Sequence, residues 1–278
     1  MTAEAVIDAV SSVSAEVRYL RPMRERPRYH ANDHTRDVLD LESHVVSIAN
    51  ARVATSGPTL DREGFSLTAH RSGIEDFHDA RFVAQRYAPE IRDLLLELCG
   101  ADTVVVNPRG VLRYGERSPA CGKGDNSYPA RFVHVDVSDA TAAIFAAQTN
   151  TRRDRRVRRY CHYNVWRVLT PPPQDVPLAV CDAQSVSPDD LVKADAIFDT
   201  PGVPEWSFEG LVVLFSPQHR WSYFPDMDRD HVLVFKTNDS DRSYAHCVPH
   251  VAFDDPACPA GVEPRTSIEM RGIAYWYD

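Results

Sequence analysis

Beyond Gly100 the chain breaks into short β-prone runs, and this pattern most limits the folds open to it. The runs read "DTVVVN", "VLRY", "RFVHVDV", "RYCHYNVWRVL", "LAVCDA", "LVVLFS", "HVLVFKTN" and "RTSIEMRGIAYWY". They are rich in β-branched and aromatic residues, and Pro, Asp, Asn and Gly bound them as strand punctuation does. Strands this numerous, behind a more helical N-terminal portion, predict an α+β, mainly β chain: a barrel or jelly-roll core of about residues 101–278, with flanking helices as a buttress over about 1–100. At 278 residues this is read as a single domain spanning 1–278.

Within the N-terminal portion, residues 15–20, 44–49 and 64–73 read as strands, with a polar loop between the first two. The clearest helix is 79–99, where Val83, Tyr87, Ile91, Leu94, Leu95 and Leu98 form one apolar stripe. Asp79 is its expected N-cap, Pro89 a point where it kinks or splits, and Gly100 its end. Two shorter helices are expected at 138–149, capped by Ser138 or Asp139, and at 187–194.

The net charge of -9 argues against a general nucleic-acid or membrane-surface binder. "NTRRDRRVRRY" (150–160) carries no interleaved aromatics, so it reads as a solvated loop or edge strand. No apolar run approaches the ~20 residues of a membrane span, and the acidic N-terminus does not read as a signal peptide. A cytoplasmic protein acting on a small molecule is the expectation, with no nucleic acid, no membrane and the oligomeric state left open. The six cysteines are scattered without a C-x-x-C pair, which fits free thiols rather than a disulfide or zinc framework.

The chemistry concentrates in two places. In "RFVHVDVSDATA", His134 and Asp136 stand two apart on a strand-like run and so share a face. Downstream, "YAHCVPHVAFDDPACPAGVEPRTSIEMR" supplies His246, His250, Arg265 and Ser267. Two histidines and one carboxylate that leave open positions suit non-heme Fe(II) oxygen chemistry. Arg265 and Ser267, two apart on a strand, can together hold a carboxylate. His246 and His250 would share a face only on a helix, which Pro249 disfavours.

His-x-Asp, a later His and then Arg-x-Ser is the layout of 2-oxoglutarate-dependent oxygenases on a double-stranded β-helix. The segments "LDREGFSLTAH", "YAPEIRDLLLELCGADTVVV", "HVDVSDATA", "YNVWRVLTPPPQDVPLAVCDAQSV", "DHVLVFKTNDSD" and "HVAFDDPACPAGVEPRTSIEMR" resemble the CmcJ/AsaB-like oxygenase family over roughly 15–277. That family includes a cephamycin 7-alpha-hydroxylation component, gibberellin desaturase and fungal aziridine-forming enzymes. The resemblance implies a double-stranded β-helix, mononuclear Fe(II), 2-oxoglutarate as cosubstrate and O2. It assigns His134, Asp136 and His250 as metal ligands, choosing His250 over His246. It gives Arg265, with Ser267, the tail of 2-oxoglutarate, and it places Asn164 beside cosubstrate or substrate. Asn164, Trp166 and Arg167 match the family's N-x-W-R-P block, whose proline is Val168 here. Trp166, Arg167, Tyr223 and Arg113 are the candidate substrate contacts. The His134–His250 separation is long for the superfamily and implies an insertion between the ligands.

The implied reaction is hydroxylation, desaturation or oxidative cyclisation of a small amino-acid-like or natural-product substrate in specialised metabolism. The alternatives are a non-heme iron oxidase that does not use 2-oxoglutarate, and a non-catalytic jelly-roll binding module.

Overall fold

The computed structural model describes residues 11–278. Its strands form two sheets. The larger has nine strands in the order Ser12–Leu20, Leu41–Asn50, Trp221–Tyr223, Leu178–Cys181, His250–Ala252, His134–Val135, Trp206–Val213, Leu191–Phe198 and Arg28–His30. The smaller runs Phe65–Ala69, His231–Asp239, Val157–Val168, Thr266–Tyr277 and Thr103–Val106, with Val111–Tyr114 also paired to Thr266–Tyr277. The larger sheet curls until its first strand meets its middle: Leu20 bridges to Leu214, and Val133 N–H donates to the Arg18 carbonyl. Curled sheets of this kind fit the expected jelly-roll core.

Strand alternation decides what lies between the sheets. Phe65, Trp166, Val168 and Phe235 of the smaller sheet pack on Leu178 and Val180 of the larger. Residues one step out of phase, such as Tyr163, Val165, Met270 and Ala274, point the other way and meet Ile91, Leu94 and Leu95 of the helix Ala88–Cys99. That helix lies close to the sheet at Gly272, where an added Cβ would stand 2.6 Å from Leu95 Cδ1.

The predicted helix over 79–99 is present with Asp79 as its cap and Gly100 in the left-handed region at its end. Pro89 does not merely kink it. The Pro89 ring excludes a regular turn against the Gln85 carbonyl, so Val83–Tyr87 widens into a π turn in which Ala88 N–H reaches the Val83 carbonyl. Ser138 caps the helix Asp139–Thr149 as expected.

Two expectations need correction. Among the described residues the α-helical part of the buttress expected over about 1–100 runs only from Ala80 to Cys99; the strands expected at 15–20 and 44–49 are present as Ser12–Leu20 and Leu41–Asn50 of the larger sheet, and Arg28–His30, in the expected polar loop, is a strand of it too. Their alternating burial, which has a strand's period, is legible in "SVSAEVRYL". The helix predicted at 187–194 is a single turn, Pro188–Asp190, closed by a Ser187–Asp190 capping box. From Leu191 the chain pairs with Val213 and continues as a strand. A good cap marks a helix start, but one turn without further helical propagation loses to sheet pairing.

All six cysteines are free. No helix among the described residues is long and apolar enough to cross a membrane.

Candidate metal centre

His134 and His250 lie far apart in sequence but are direct partners across two antiparallel strands. A cross-strand pair has its side chains on one face, and the two imidazole centroids stand 4.2 Å apart. Asp136 follows His134 at the bend where its strand ends, on the same side. Its Oδ1 lies 3.4 Å from His134 Nε2 and 3.5 Å from His250 Nε2. One donor atom from each residue falls within 4.8 Å of the others, and all three side chains are buried.

The remaining atoms are committed in ways that aim these donors. Each histidine bonds through Nδ1 to the carbonyl two residues before it, Phe132 O for His134 and Val248 O for His250, both at 3.1 Å. A carbonyl can only accept, so Nδ1 carries the proton and Nε2 keeps its lone pair facing Asp136. Asp136 Oδ2 accepts from Asn164 Nδ2 at 2.8 Å and pairs with Arg271 Nη2 at 3.2 Å. Its Oδ1 is thereby left toward the imidazoles. Burial alone would raise the Asp136 carboxyl; the charge of the neighbouring Arg271 guanidinium outweighs it and holds the group well below the usual carboxylate range. Burial and the neighbouring His250 push His134 below its ordinary value. Two neutral imidazoles and one carboxylate are a donor set that fits a divalent iron.

Beside these groups lies a small cavity lined by Arg113, Pro129, Ala130, His134, Trp166, Leu178, His250, Ala252, Arg265 and Glu269. Arg265 is 1% exposed. Its Nη1 donates to Ser267 Oγ at 3.0 Å, while Nε and Nη2 find no acceptor among the described residues. Burial, and then the charge of Arg113, pushes its pKa down to about 10. A buried guanidinium with two idle nitrogens is a seat for a carboxylate.

A larger cavity of about 460 Å³ adjoins the same histidine and is walled by Tyr29, Phe132, Phe198, Phe208, Asp136 and Arg271, among others.

The profile of the oxidoreductase/YMDC permease-like domain family matches residues 17–275. This chain belongs to that family. The relatives bear out the resemblance read from the motifs. The hydroxylase/desaturase CTB9 of Cercospora beticola is 30% identical over 256 residues, 85% of this chain and 78% of that one. The Fe(II)/2-oxoglutarate-dependent dioxygenase nvfI of Aspergillus novofumigatus is 28% identical over 240 residues, 84% and 83% of the two chains. A solved structure of NvfI, an iron and alpha-ketoglutarate-dependent endoperoxidase, matches with a TM-score of 0.83 at 24% identity, over 98% of this chain and 100% of that one. The mainly β fold expected from the strand pattern is therefore shared with a solved relative.

Within this family member the structure separates the sequence candidates. His134, Asp136, His250, Arg265, Ser267, Trp166 and Arg113 converge on the small cavity or the groups that line it. Asn164 is not in that lining; its amide nitrogen donates to Asp136 Oδ2. Arg167 is not in it either. One residue out of phase with Asn164 and Trp166, it points to the helix side, where it donates to Tyr87 Oη and to the carbonyls of His70 and Arg229. Tyr223 also lies elsewhere: it shares a face with Trp221 and Cys181 in the cluster behind the histidine pair, edge-on to Phe253 at 5.4 Å. His246 is bound to Asp139 and the Asp239 carbonyl.

Glu269 and Arg271 were absent from the sequence candidates. A signal existed: Arg265, Ser267, Glu269 and Arg271 are spaced by two, so the strand sets all four on one side. Opposite them Val168, Trp166 and Asn164 pair with Ser267, Glu269 and Arg271. The walls given by Tyr29, His30 and the hairpin at 196–208 carried no such signal, because they come from remote segments.

Proposed function

We propose that this chain is an Fe(II)- and 2-oxoglutarate-dependent oxygenase of the cytoplasm. It would carry out hydroxylation, desaturation or oxidative cyclisation of a small natural-product substrate in specialised metabolism. One observation carries the reading: the two histidines of a buried two-histidine, one-carboxylate donor set line a cavity that Arg265, with two unpartnered nitrogens, also lines. The names of the family relatives support it.

His134 and His250, through Nε2, and Asp136, through Oδ1, would hold the iron on one face. With 2-oxoglutarate and O2 the metal supplies an oxidant able to break a C–H bond, the cosubstrate leaving as succinate and CO2. The protein's share is position and dryness. The carbonyls of Phe132 and Val248 fix the histidine tautomers. Asn164 and Arg271 keep the Asp136 carboxylate ionised and turned inward. Arg265 and Ser267 would clamp the distal carboxylate of 2-oxoglutarate, and Pro129, Ala130, Trp166 and Leu178 supply apolar parts of that cavity's lining.

The test is anaerobic titration of the Fe(II)-loaded protein with 2-oxoglutarate. A visible charge-transfer band that needs both components is expected, with succinate formed after O2 is admitted. Asp136→Ala should lose both iron and band. A substrate turned over with O2 but without 2-oxoglutarate, and without succinate, would replace this reading with an iron oxidase. Full iron retention by Asp136→Ala would remove the proposed ligand set.

A further inference from the structure

The walls of the 460 Å³ cavity are unevenly satisfied. Asp37 is shared by His30 and His34, each with Nδ1 at 3.2 Å from one of its oxygens. Arg131 pairs with Glu116 and Asp254. Asp136 is held by Asn164 and Arg271. Apart from the exposed Arg18, one ionised wall residue has no counter-charge within ion-pair distance among the described residues: Arg113. Its three hydrogen bonds all leave from Nη1, to Tyr128 O at 2.6 Å, Asn126 Oδ1 at 3.1 Å and Asn126 O at 3.4 Å. No described residue accepts from Nε or Nη2. Burial pushes the guanidinium below its ordinary value, although the charges of Glu269 and Asp136 partly oppose it.

Its position narrows the use. Arg113, Pro129, Ala130 and His134 line both the large and the small cavity, so Arg113 stands at the seam between them, beside a candidate ligand. The two carboxylates of 2-oxoglutarate are accounted for by the metal and by Arg265. Besides its paired charges, the large cavity has an aromatic part to its wall. Tyr29 and Phe132 meet at 5.1 Å, and Phe198, Phe208 and Trp206 form a compact cluster, 5.3 Å between Phe198 and Phe208, 4.4 Å between Phe198 and Trp206 and 5.7 Å between Trp206 and Phe208; Trp206 is 51% exposed. Phe198 and Phe208 of that cluster line the cavity, and Trp206 reaches the surface beside them.

We propose that Arg113 is a specificity-determining residue that seats a carboxylate of the substrate, and that the substrate is a flat, apolar monocarboxylate whose body lies against the aromatic rings of the cavity wall. The anionic end then sits beside His134, so the oxidised carbon lies close to the carboxylate and not at the remote end of the body. This rests on the reading of His134, Asp136 and His250 as the reacting centre.

The test is calorimetric binding to the full chain loaded with Mn(II) and 2-oxoglutarate, which needs no turnover. The probes are 2-naphthylacetic acid, 2-naphthylacetamide and 2-naphthaleneethanol. The acid should bind at least about tenfold more tightly than the neutral pair, as a charge-assisted contact gives. Arg113→Met should bring the acid to the level of the amide while 2-oxoglutarate affinity stays within twofold, and Arg113→Lys should restore part of the preference. Phe198→Ala should weaken all three probes alike. Equal binding of acid and amide by the wild type, no binding of any probe, or an equal loss of acid and 2-oxoglutarate in Arg113→Met overturns the proposal. A chain that prefers the acid yet fails to bind 2-oxoglutarate would retain the role of Arg113 and sink the proposed function instead.

Discussion

Two arginines of this chain are buried to the same depth, Arg167 at 0% exposed and Arg265 at 1%, and their surroundings are opposite. Arg167, on the helix side of the smaller sheet, gives Nε to Tyr87 Oη, Nη1 to two backbone carbonyls and Nη2 to His70 Nδ1. Arg265, between the sheets, has one partner and two idle nitrogens. Depth of burial therefore does not mark a site; unused hydrogen-bonding capacity does. A third case agrees: Asp239, fully buried, is satisfied by Arg159 and Lys236 and reads as structure. A folded chain tolerates an unpaired buried cation only at a cost in stability, and in a binding site that cost is offset when the ligand arrives.

Exchanging each arginine for methionine should break the comparison open. Arg167→Met leaves the Tyr87 hydroxyl and two carbonyls stranded, so unfolding free energy should fall by roughly 2–5 kcal/mol. The 2-oxoglutarate affinity of the folded fraction should not move. Arg265→Met strands only the Ser267 hydroxyl and removes a desolvated charge, so thermal stability without cosubstrate should hold or rise. Its KM for 2-oxoglutarate should instead increase by about 10- to 150-fold, equivalent to roughly 1.5–3 kcal/mol. Denaturant melts and cosubstrate kinetics on both variants decide it. A destabilised Arg265→Met with unchanged KM would place that arginine with Arg167, among the structural groups.

The histidines allow the same contrast by pH. His162 is as buried as His134, but its Nε2 is committed to the Ala142 carbonyl at 3.0 Å. Burial, only partly offset by that bond, pushes its pKa down to about 4. The unfolded value is about 6.5, so between those limits the unfolded chain binds a proton that the folded chain refuses. Stability is then complete above pH 6.5 and declines as pH falls toward 4, by roughly 3 kcal/mol in all. His162→Gln should flatten that slope in urea melts between pH 7 and 4.5. An unchanged slope would show that other groups govern acid sensitivity.

Much of this division was legible in the sequence wherever the relevant distance is two residues along a strand. His134 and Asp136 on one side, and Arg265 beside Ser267, follow from alternation alone. The same rule would have excluded Arg167, which is out of phase with Asn164 and Trp166, and would have added Glu269 and Arg271. His250 was reached through resemblance, because its pairing with His134 depends on register between strands far apart in sequence, and local pattern does not encode that register. Tyr223 was ambiguous for the same reason: the face it takes is set by its pairing with Leu41–Asn50 and Leu178–Cys181. The helix misread at 187–194 shows the reverse failure, a strong local cap overruled by a partner strand.

Asn164 gives the finest test, since sequence resemblance and geometry assign it differently. The motif placed it against cosubstrate or substrate; the structure puts its amide nitrogen on Asp136 Oδ2. In that position it would act by orienting Asp136, sharing the task with Arg271. Loss of such a partner typically lowers metal affinity by about 10- to 100-fold. Because Arg271 still holds the same oxygen, Asn164→Ala should fall toward the smaller figure. Mn(II) titration would show this loss, while the affinity of metal-saturated protein for 2-oxoglutarate stays constant. Unchanged metal affinity with weakened 2-oxoglutarate binding would return Asn164 to the cosubstrate. Idle hydrogen-bonding capacity would then fail to identify every ligand contact, because a committed amide would be one of them.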